Sequence, residues 1–140
     1  MKRETGYILA LSSLIAIVSL LSGQMLKMAA LRVVFITTPS EEVATKLARA
    51  VVEQKLAACV NIVPGIKSIY EWEGKIHEDA EHLMIVKTVE ESVPSLREKI
   101  LSIHPYDTPE FISLPVSEES EKYAEWVRTQ SAKTTVSPPQ

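Results

Sequence analysis

Two long β-rich segments joined by a tight turn constrain the fold of this chain more than any other feature. Residues 58–72 and 76–88 are both rich in strand-forming side chains, and Glu73-Gly74-Lys75 between them is typical of a hairpin turn. Pro64-Gly65 interrupts the first segment, which predicts a bulge or a bend there. The sequence therefore predicts a long antiparallel hairpin in the middle of the domain.

The flanking sequence supplies the other elements. Residues 32–38, RVVFITT, predict a buried strand, and Ser40 is a good N-cap for an amphipathic helix that ends near Lys55. Ser92 is expected to cap a second helix, and residues 111–116 predict a short last strand. The order β-α-β-β-α-β, followed by a terminal helix, predicts an α+β fold. It is the ferredoxin-like, split βαβ arrangement, with helices on one face of an antiparallel sheet.

The globular domain is predicted to cover residues 31–130. Its terminal helix carries Tyr123, Trp126 and Val127 at helical spacing, and we expect all three to face the core. Residues 131–140 are small, polar and proline-terminated, which predicts a disordered tail. The net charge of −3 gives no basic footprint for nucleic acid, and a single cysteine excludes an intrachain disulfide framework.

The first thirty residues differ from the rest and predict a hydrophobic signal or anchor segment, residues 1–30. Its apolar stretch, residues 8–21, suits a signal-peptide core better than a full membrane span. Three outcomes stay open: cleavage, retention as an anchor, or initiation at Met25 or Met28. We expect the Met1 form at a membrane or in the secretory route, and a shorter form in the cytoplasm.

The hairpin is longer than the helices that could cover it. A strand of this length spans about 50 Å, whereas a helix of similar length spans about 22 Å. The tip carries four large apolar or aromatic side chains that a monomer would leave in water: Ile69, Tyr70, Trp72 and Ile76. Because such patches and unpaired strand edges mark interfaces, we expect a closed homo-oligomer built through this hairpin.

Three motifs carry a resemblance to one protein family. LAACVNIVPGIKSIYEWEGKI at 56–76, MIVKT at 84–88 and HPYDTPE at 104–110 are similar, in this order, to motifs of the CutA family, which is named for divalent-cation tolerance. The resemblance covers about residues 32–128. It implies the ferredoxin-like fold and a tight homotrimer whose architecture is similar to that of nitrogen-regulatory PII proteins. No secure enzymatic activity comes with it.

The resemblance also implies partners. The N-terminal hydrophobic extension resembles that of animal members, which are associated with anchoring or processing acetylcholinesterase at membranes. Bacterial members are associated with copper tolerance and copper binding, with cysteines near the end of the first strand, where this chain has Ile36. The implied partners are further copies of the chain and acetylcholinesterase or its membrane anchor complex, and copper is a possible ligand.

The HPYDTPE segment has two interpretations. We favour a helix-exit loop at a subunit boundary, in which Pro105 and Pro109 fix the turn into the last strand. In the alternative, the segment belongs to a ligand cleft between subunits. The candidate residues of that cleft are Tyr70, Trp72, Lys87, His104, Tyr106 and Glu110.

Candidate metal ligands are few. His77 and His82 of HEDAEH are five positions apart, so a regular strand would point them to opposite faces, and we expect HEDAEH to be a solvated strand end. Cys59 suits copper(I), although its apolar neighbours favour a buried thiol. His104 and Glu110 are the candidate ligands for copper(II).

Three functional hypotheses follow. The first is a non-enzymatic homotrimer that helps to localise a partner such as acetylcholinesterase. The second is a copper-binding protein of divalent-cation tolerance and metal homeostasis. The third is an acid–base enzyme that uses His104 or Lys87 at the cleft between subunits.

Overall fold

The computed structural model describes residues 12–21 and 29–131, and the element order is the predicted one. The elements are helix α1 (12–21), strand β1 (Leu31–Thr38), helix α2 (Glu41–Glu53), strand β2 (Cys59–Trp72), strand β3 (Lys75–Val89), helix α3 (Val93–Ile103), strand β4 (Ile112–Pro115) and helix α4 (Glu121–Ser131). A short 3₁₀ helix, Glu90–Ser92, precedes α3.

The four strands form one sheet in the order β2-β3-β1-β4, and every neighbouring pair is antiparallel. The chain passes from β1 through α2 to β2, and from β3 through α3 to β4. This is the α+β, ferredoxin-like topology that the sequence predicts.

The core lies between one face of the sheet and helices α2 and α3. Val34 and Ile36 of β1, with Met84 and Val86 of β3, point to this face and are fully buried. The two helices contribute the other fully buried members of the cluster, which are Ala44, Leu47, Val51, Leu96 and Ile100.

Helix α2 begins at the predicted N-cap. The hydroxyl of Ser40 accepts a hydrogen bond from the backbone N–H of Val43 at 3.3 Å, and two acidic residues follow in the first turn, where the helix dipole favours them. The helix ends at Glu53, slightly before the expected end. Lys55 has a φ of 57°, a left-handed conformation that cannot continue an α-helix.

One capping prediction is wrong, and buried residues continue slightly past both ends of the predicted domain. Ser92 makes no side-chain cap for α3; its hydroxyl donates instead to the carbonyl of Ser131 at 2.8 Å. Ser131 is consequently the buried last residue of α4, not the first residue of a tail. The folded domain also begins earlier than residue 31, since Ala29 is buried and its carbonyl accepts a hydrogen bond from Nε of Arg128 at 2.8 Å.

The expected core face of α4 is wrong for two of its three residues. Val127 is fully buried, as is Ala124, but Tyr123 and Trp126 are 43% and 42% exposed. Helix α4 packs against Leu31 at the start of β1 and against Ala58 just before β2. So small a contact accommodates only one narrow stripe of the helix.

The interruption in β2 is a β-bulge. Val63 pairs with Leu83 and Ile66 with Glu81, so β2 uses one residue more than β3 over this interval. Gly65 has a φ of 73°, which only glycine adopts without strain. The extra residue reverses the alternation of side chains along β2 beyond the bulge.

Beyond the bulge, β2 and β3 leave the sheet as a two-stranded ribbon. Strand β1 pairs with β3 only from His82 to Val89, so residues 75–81 pair with β2 alone. The ribbon closes on Glu73 and Gly74, whose φ angles of 52° and 75° fit a two-residue hairpin turn. The predicted overhang is therefore present, and its tip is exposed.

The sheet face opposite α2 and α3, called here the open face, is also apolar. Cross-strand pairing joins Val33 to Leu114 and Phe35 to Ile112, and these two β4 side chains are 43% and 48% exposed. The apolar residues of the open face are Val33, Phe35, Val63, Leu83, Ile85, Ile112 and Leu114, and the strand pairing also places Asn61 and Lys87 on this side.

Helix α1 lies in the predicted hydrophobic segment, and each of its residues is exposed. None of the helices in residues 12–21 and 29–131 is long and apolar enough to cross a membrane. The rest of the predicted signal or anchor segment up to residue 28, and residues 132–140 of the predicted tail, lie outside the described residues. Cleavage, anchoring and alternative initiation stay predictions.

Candidate functional site

The HPYDTPE segment leads from the end of α3 to β4 and closes one side of a pocket with a volume of about 580 Å³. The other walls come from the end of β1 and from the ribbon. Four predicted cleft residues line this pocket: Tyr70, Trp72, Tyr106 and Glu110. The polar wall is completed by Thr37, Ser68, Glu81, Asp107 and Thr108, and we call the whole the Glu81 pocket.

Glu81 is the most buried acid of this pocket, with 6% of its surface exposed. Ser68 Oγ donates to its Oε2 at 2.6 Å, and the Tyr106 hydroxyl donates to its Oε1 at 2.9 Å. Burial, together with the hydrogen bond to Glu81, raises the pKa of Tyr106 to about 12. The phenol therefore keeps its proton at neutral pH and ties the loop to strand β3.

On the ribbon, the hydroxyl of Tyr70 likewise donates a hydrogen bond to a carboxylate. The acceptor is Oδ2 of Asp79 at 2.6 Å, and the ring of Tyr70 stacks on His77 with 5.5 Å between centroids. The hydrogen bond to Asp79, followed by burial, raises the pKa of Tyr70. The ring is held against the pocket by its own strand partners.

His104 positions the loop from behind the pocket. The side chain is 8% exposed, and its Nδ1 accepts a hydrogen bond from the backbone N–H of Tyr106 at 3.1 Å. Because Nδ1 acts as acceptor, the proton of the neutral ring lies on Nε2, which donates to the carbonyl of Thr37 at 2.9 Å. Both ring nitrogens are thus used to fix the loop against β1.

The predicted copper(II) pair does not fit a metal in this geometry. His104 has no free lone pair for a metal, and Glu110 alone cannot form a centre. In the described part of the chain, no three His, Cys, Asp or Glu side chains are placed to hold a metal ion. His77 pairs with β2 in the ribbon and His82 pairs with β1, so the two histidines do not meet.

Lys87 and Cys59 lie away from the pocket of their own protomer. Lys87 follows Glu81 by six positions in β3, a distance of about 20 Å along a strand. Its Nζ donates to Oδ1 of Asn61 and to the carbonyl of Ile85. Cys59 faces Lys87 across the β2–β3 pair and is partly buried.

The predicted interface at the hairpin tip is divided between two faces. After the bulge, Tyr70 and Trp72 alternate on the same side as Ser68 and therefore border the Glu81 pocket. Ile69 and Ile76 lie on the opposite side and are 63% and 68% exposed. Alternation along the strands thus gives the ribbon an aromatic face and an aliphatic face, and the bulge sets the aromatic face towards the pocket.

Sequence reasoning missed Glu81. HEDAEH was expected to be solvated throughout, and this is wrong for Glu81, which the Tyr106 loop covers. Its burial depends on a contact between residues 25 positions apart. No local pattern encodes such a contact.

Sequence reasoning also missed the open face, although a signal for it exists. RVVFITT is apolar at both alternating sets of positions, which is typical of a strand buried on both faces. The predicted topology supplies helices for only one face. The sequence therefore already indicated that no helix covers the second set, Val33 and Phe35.

The fold and the pocket define a ferredoxin-like domain with a projecting ribbon and a pocket closed by the loop after α3. The model of the family described as CutA1 divalent ion tolerance protein matches residues 32–130, and the chain belongs to this family.

Relatives and solved structures agree with this assignment. The divalent-cation tolerance protein CutA of Thermus thermophilus is 52% identical over 96 residues, which cover 69% of this chain and 93% of that protein. Human protein CutA is 54% identical over 94 residues, which cover 67% of this chain but only 52% of the human protein. The crystal structure of CutA1 from Oryza sativa superposes with a TM-score of 0.75 at 44% identity, covering 77% of this chain and 99% of that one.

Proposed function

We propose that this chain acts as a non-enzymatic homotrimer in divalent-cation tolerance, and that its subunits meet through the open face. The open face itself is the observation that carries the proposal. Helices α2 and α3 already occupy the other side of the sheet, and α4 lies at the start of β1. Each copy of the chain carries the same open face, so a second copy is always available as an apolar partner that can cover it.

The energetics support such an assembly. Full burial of a Val, Leu, Ile or Phe side chain contributes about 1.5–3 kcal/mol, and the loss of translational and rotational freedom on association costs about 4–15 kcal/mol. Ile112 and Leu114 are about half exposed, and other members of the open face are partly exposed. Several such side chains per subunit offset the cost of association. The number three comes from the family resemblance.

A binding role is favoured over catalysis by the state of the pocket's ionisable groups. Tyrosine phenols are protonated at neutral pH, and the raised pKa values of Tyr70 and Tyr106 move both further from ionisation, so neither is a base there. His104 uses both ring nitrogens for backbone hydrogen bonds. The acid–base hypothesis, with His104 or Lys87 as the reactive group, gains no support from this arrangement.

Two finer hypotheses stay predictions from the resemblance. One is that a membrane-directed form localises acetylcholinesterase or its anchor complex, and the other is that the protein binds copper. The match covers only 52% of the human protein, so sequence similarity does not assign the functions of that longer protein to this chain.

The assembly is tested with two matched substitutions in a chain that lacks residues 1–27. Leu114→Asp places a charge on the open face, whereas Leu101→Asp places one on the outer side of α3; the two leucines are 43% and 50% exposed. Sedimentation velocity at micromolar concentration should show that Leu114→Asp shifts the trimer towards smaller species while Leu101→Asp leaves it unchanged. An unchanged trimer in Leu114→Asp, and in Ile112→Asp as a second variant, would show that the subunits do not meet through the open face.

A further inference from the structure

The Glu81 pocket carries more negative charge than its own protein atoms balance. Glu81, Asp107 and Glu110 line it, Asp79 stands behind Tyr70, and no lysine, arginine or histidine is among its lining residues. The two oxygens of Glu81 are held by neutral hydroxyl groups, from Ser68 and Tyr106. Within the protomer, no cationic side chain lines the pocket beside this nearly buried carboxylate, so an entering cation would be attracted to it.

Aromatic side chains form the remaining walls. Tyr70, Trp72 and Tyr106 line the pocket and are 42%, 52% and 38% exposed. Aromatic rings attract cations through their quadrupoles, most strongly in the case of tryptophan, and also provide apolar surface for an alkyl chain. The walls therefore suit a ligand that is both cationic and partly apolar.

The size of the pocket favours an organic cation over a bare metal ion. A volume of about 580 Å³ lies within the usual range for small-molecule sites, about 300–1,000 Å³. A divalent metal ion needs several oxygen ligands at about 2.0–2.6 Å, and the described residues hold no group of three acids, histidines or cysteines placed for this.

We propose that the Glu81 pocket binds a small aliphatic amine in its ammonium form. The ammonium N–H groups donate to the carboxylates of Glu81 and Asp107, and the alkyl chain lies against Trp72 and Tyr106. This inference rests on the proposed binding role of the protein, and it requires the pocket to stay open in the trimer.

Trp72 provides a direct signal for the test. The chain has two tryptophans, so Trp126→Phe in the full-length chain leaves Trp72 as the sole tryptophan, which excitation beyond the tyrosine absorption band reports selectively. The probe is 1,4-diaminobutane in an amine-free buffer at constant ionic strength. Its uncharged counterpart is 1,4-butanediol, and magnesium chloride is the control for a simple ionic atmosphere. We expect a saturable change in Trp72 fluorescence with the diamine alone.

Two substitutions connect that change to the pocket. Glu81→Gln keeps the shape of the side chain and should weaken diamine binding at least tenfold. Glu98→Gln, on α3 and outside the pocket, should leave it unchanged. If Glu81→Gln does not fold, Asp107→Asn in the loop should still weaken binding severalfold.

The oligomeric mass, measured in the same samples, separates this inference from the proposed function. A trimer that shows no saturable response to the diamine overturns the inference and leaves the assembly intact. A monomer that binds the diamine supports the pocket and contradicts the assembly. An equal response to butanediol or magnesium, or unchanged binding in both pocket variants, overturns the inference.

Discussion

Tyr106 connects the loop after α3 to the ribbon through one hydrogen bond to Glu81. Its backbone N–H donates to His104, whose other ring nitrogen donates to the carbonyl of Thr37, so the two residues together link the loop to β1 and β3. The contribution of this link to stability depends on the proton of the phenol.

The raised pKa of Tyr106 gives this contribution a defined pH window. Below about pH 10 the phenol is protonated in both the folded and the unfolded chain, so the full contribution is present. Between pH 10 and about 12 only the unfolded chain ionises, and the contribution falls. We predict that urea unfolding will show Tyr106→Phe to be less stable than the parent by a constant amount up to pH 10, with a difference that shrinks above it. A difference that grows above pH 10 would contradict the assigned hydrogen bond.

At the scale of single residues, the sequence predicts contacts between residues that are close together in the chain. Ser40 could be assigned as an N-cap because its acceptor role involves Val43, three residues away. The role of Ser92 could not, since its partner is the carbonyl of Ser131. His104 was noticed for its chemistry, but its function in fixing the loop depends on Thr37, which only the tertiary fold brings near.

Among the elements, the bulge in β2 has the largest consequence. It places Tyr70 and Trp72 on the pocket side and Ile69 on the other side. Pro64-Gly65 predicted the bulge, and the lengths of the two β-rich segments predicted the projecting ribbon. The reversal of side-chain alternation was not anticipated, because it depends on whether the interruption adds one residue or two.

Gly65 is the position at which this bulge is most easily tested. Its φ of 73° is left-handed, and a Cβ there would meet no atom within 4 Å, so the penalty for a side chain comes from the backbone alone. We predict that Gly65→Ala lowers the free energy of unfolding by about 1–2 kcal/mol per chain, and that Gly65→Asn lowers it less, because asparagine tolerates this conformation better. Urea unfolding at one fixed protein concentration provides the measurement. Equal stability of the alanine variant and the parent would contradict the left-handed conformation.

At the scale of the whole molecule, the domain is expected to be independent of the hydrophobic N-terminal segment. Every residue of α1 is exposed, and Ala29 is the first buried residue of the described part of the chain. We predict that a chain lacking residues 1–27 unfolds in one cooperative transition, followed by circular dichroism on heating. A broad, non-cooperative transition would show that the segment belongs to the core.

The fold of the whole molecule could be predicted because it follows from element order and hairpin length. The surface through which it is proposed to assemble was only partly foreseen. Sequence reasoning placed the interface at the hairpin tip, where Ile69 and Ile76 are indeed exposed. It overlooked the open face, because assigning Val33 or Leu114 to a surface requires knowing which side of the sheet the helices cover.

The oligomeric mass of the unmutated domain tests the central claim most directly. Sedimentation equilibrium of the chain lacking residues 1–27, at low micromolar concentration, reports mass without reference to shape. The open face predicts an assembly that persists on dilution, since folding and assembly are coupled in obligate oligomers, and the family resemblance sets its expected mass at about three chain masses. A folded, stable monomer at that concentration would contradict both the proposed interface and the trimer.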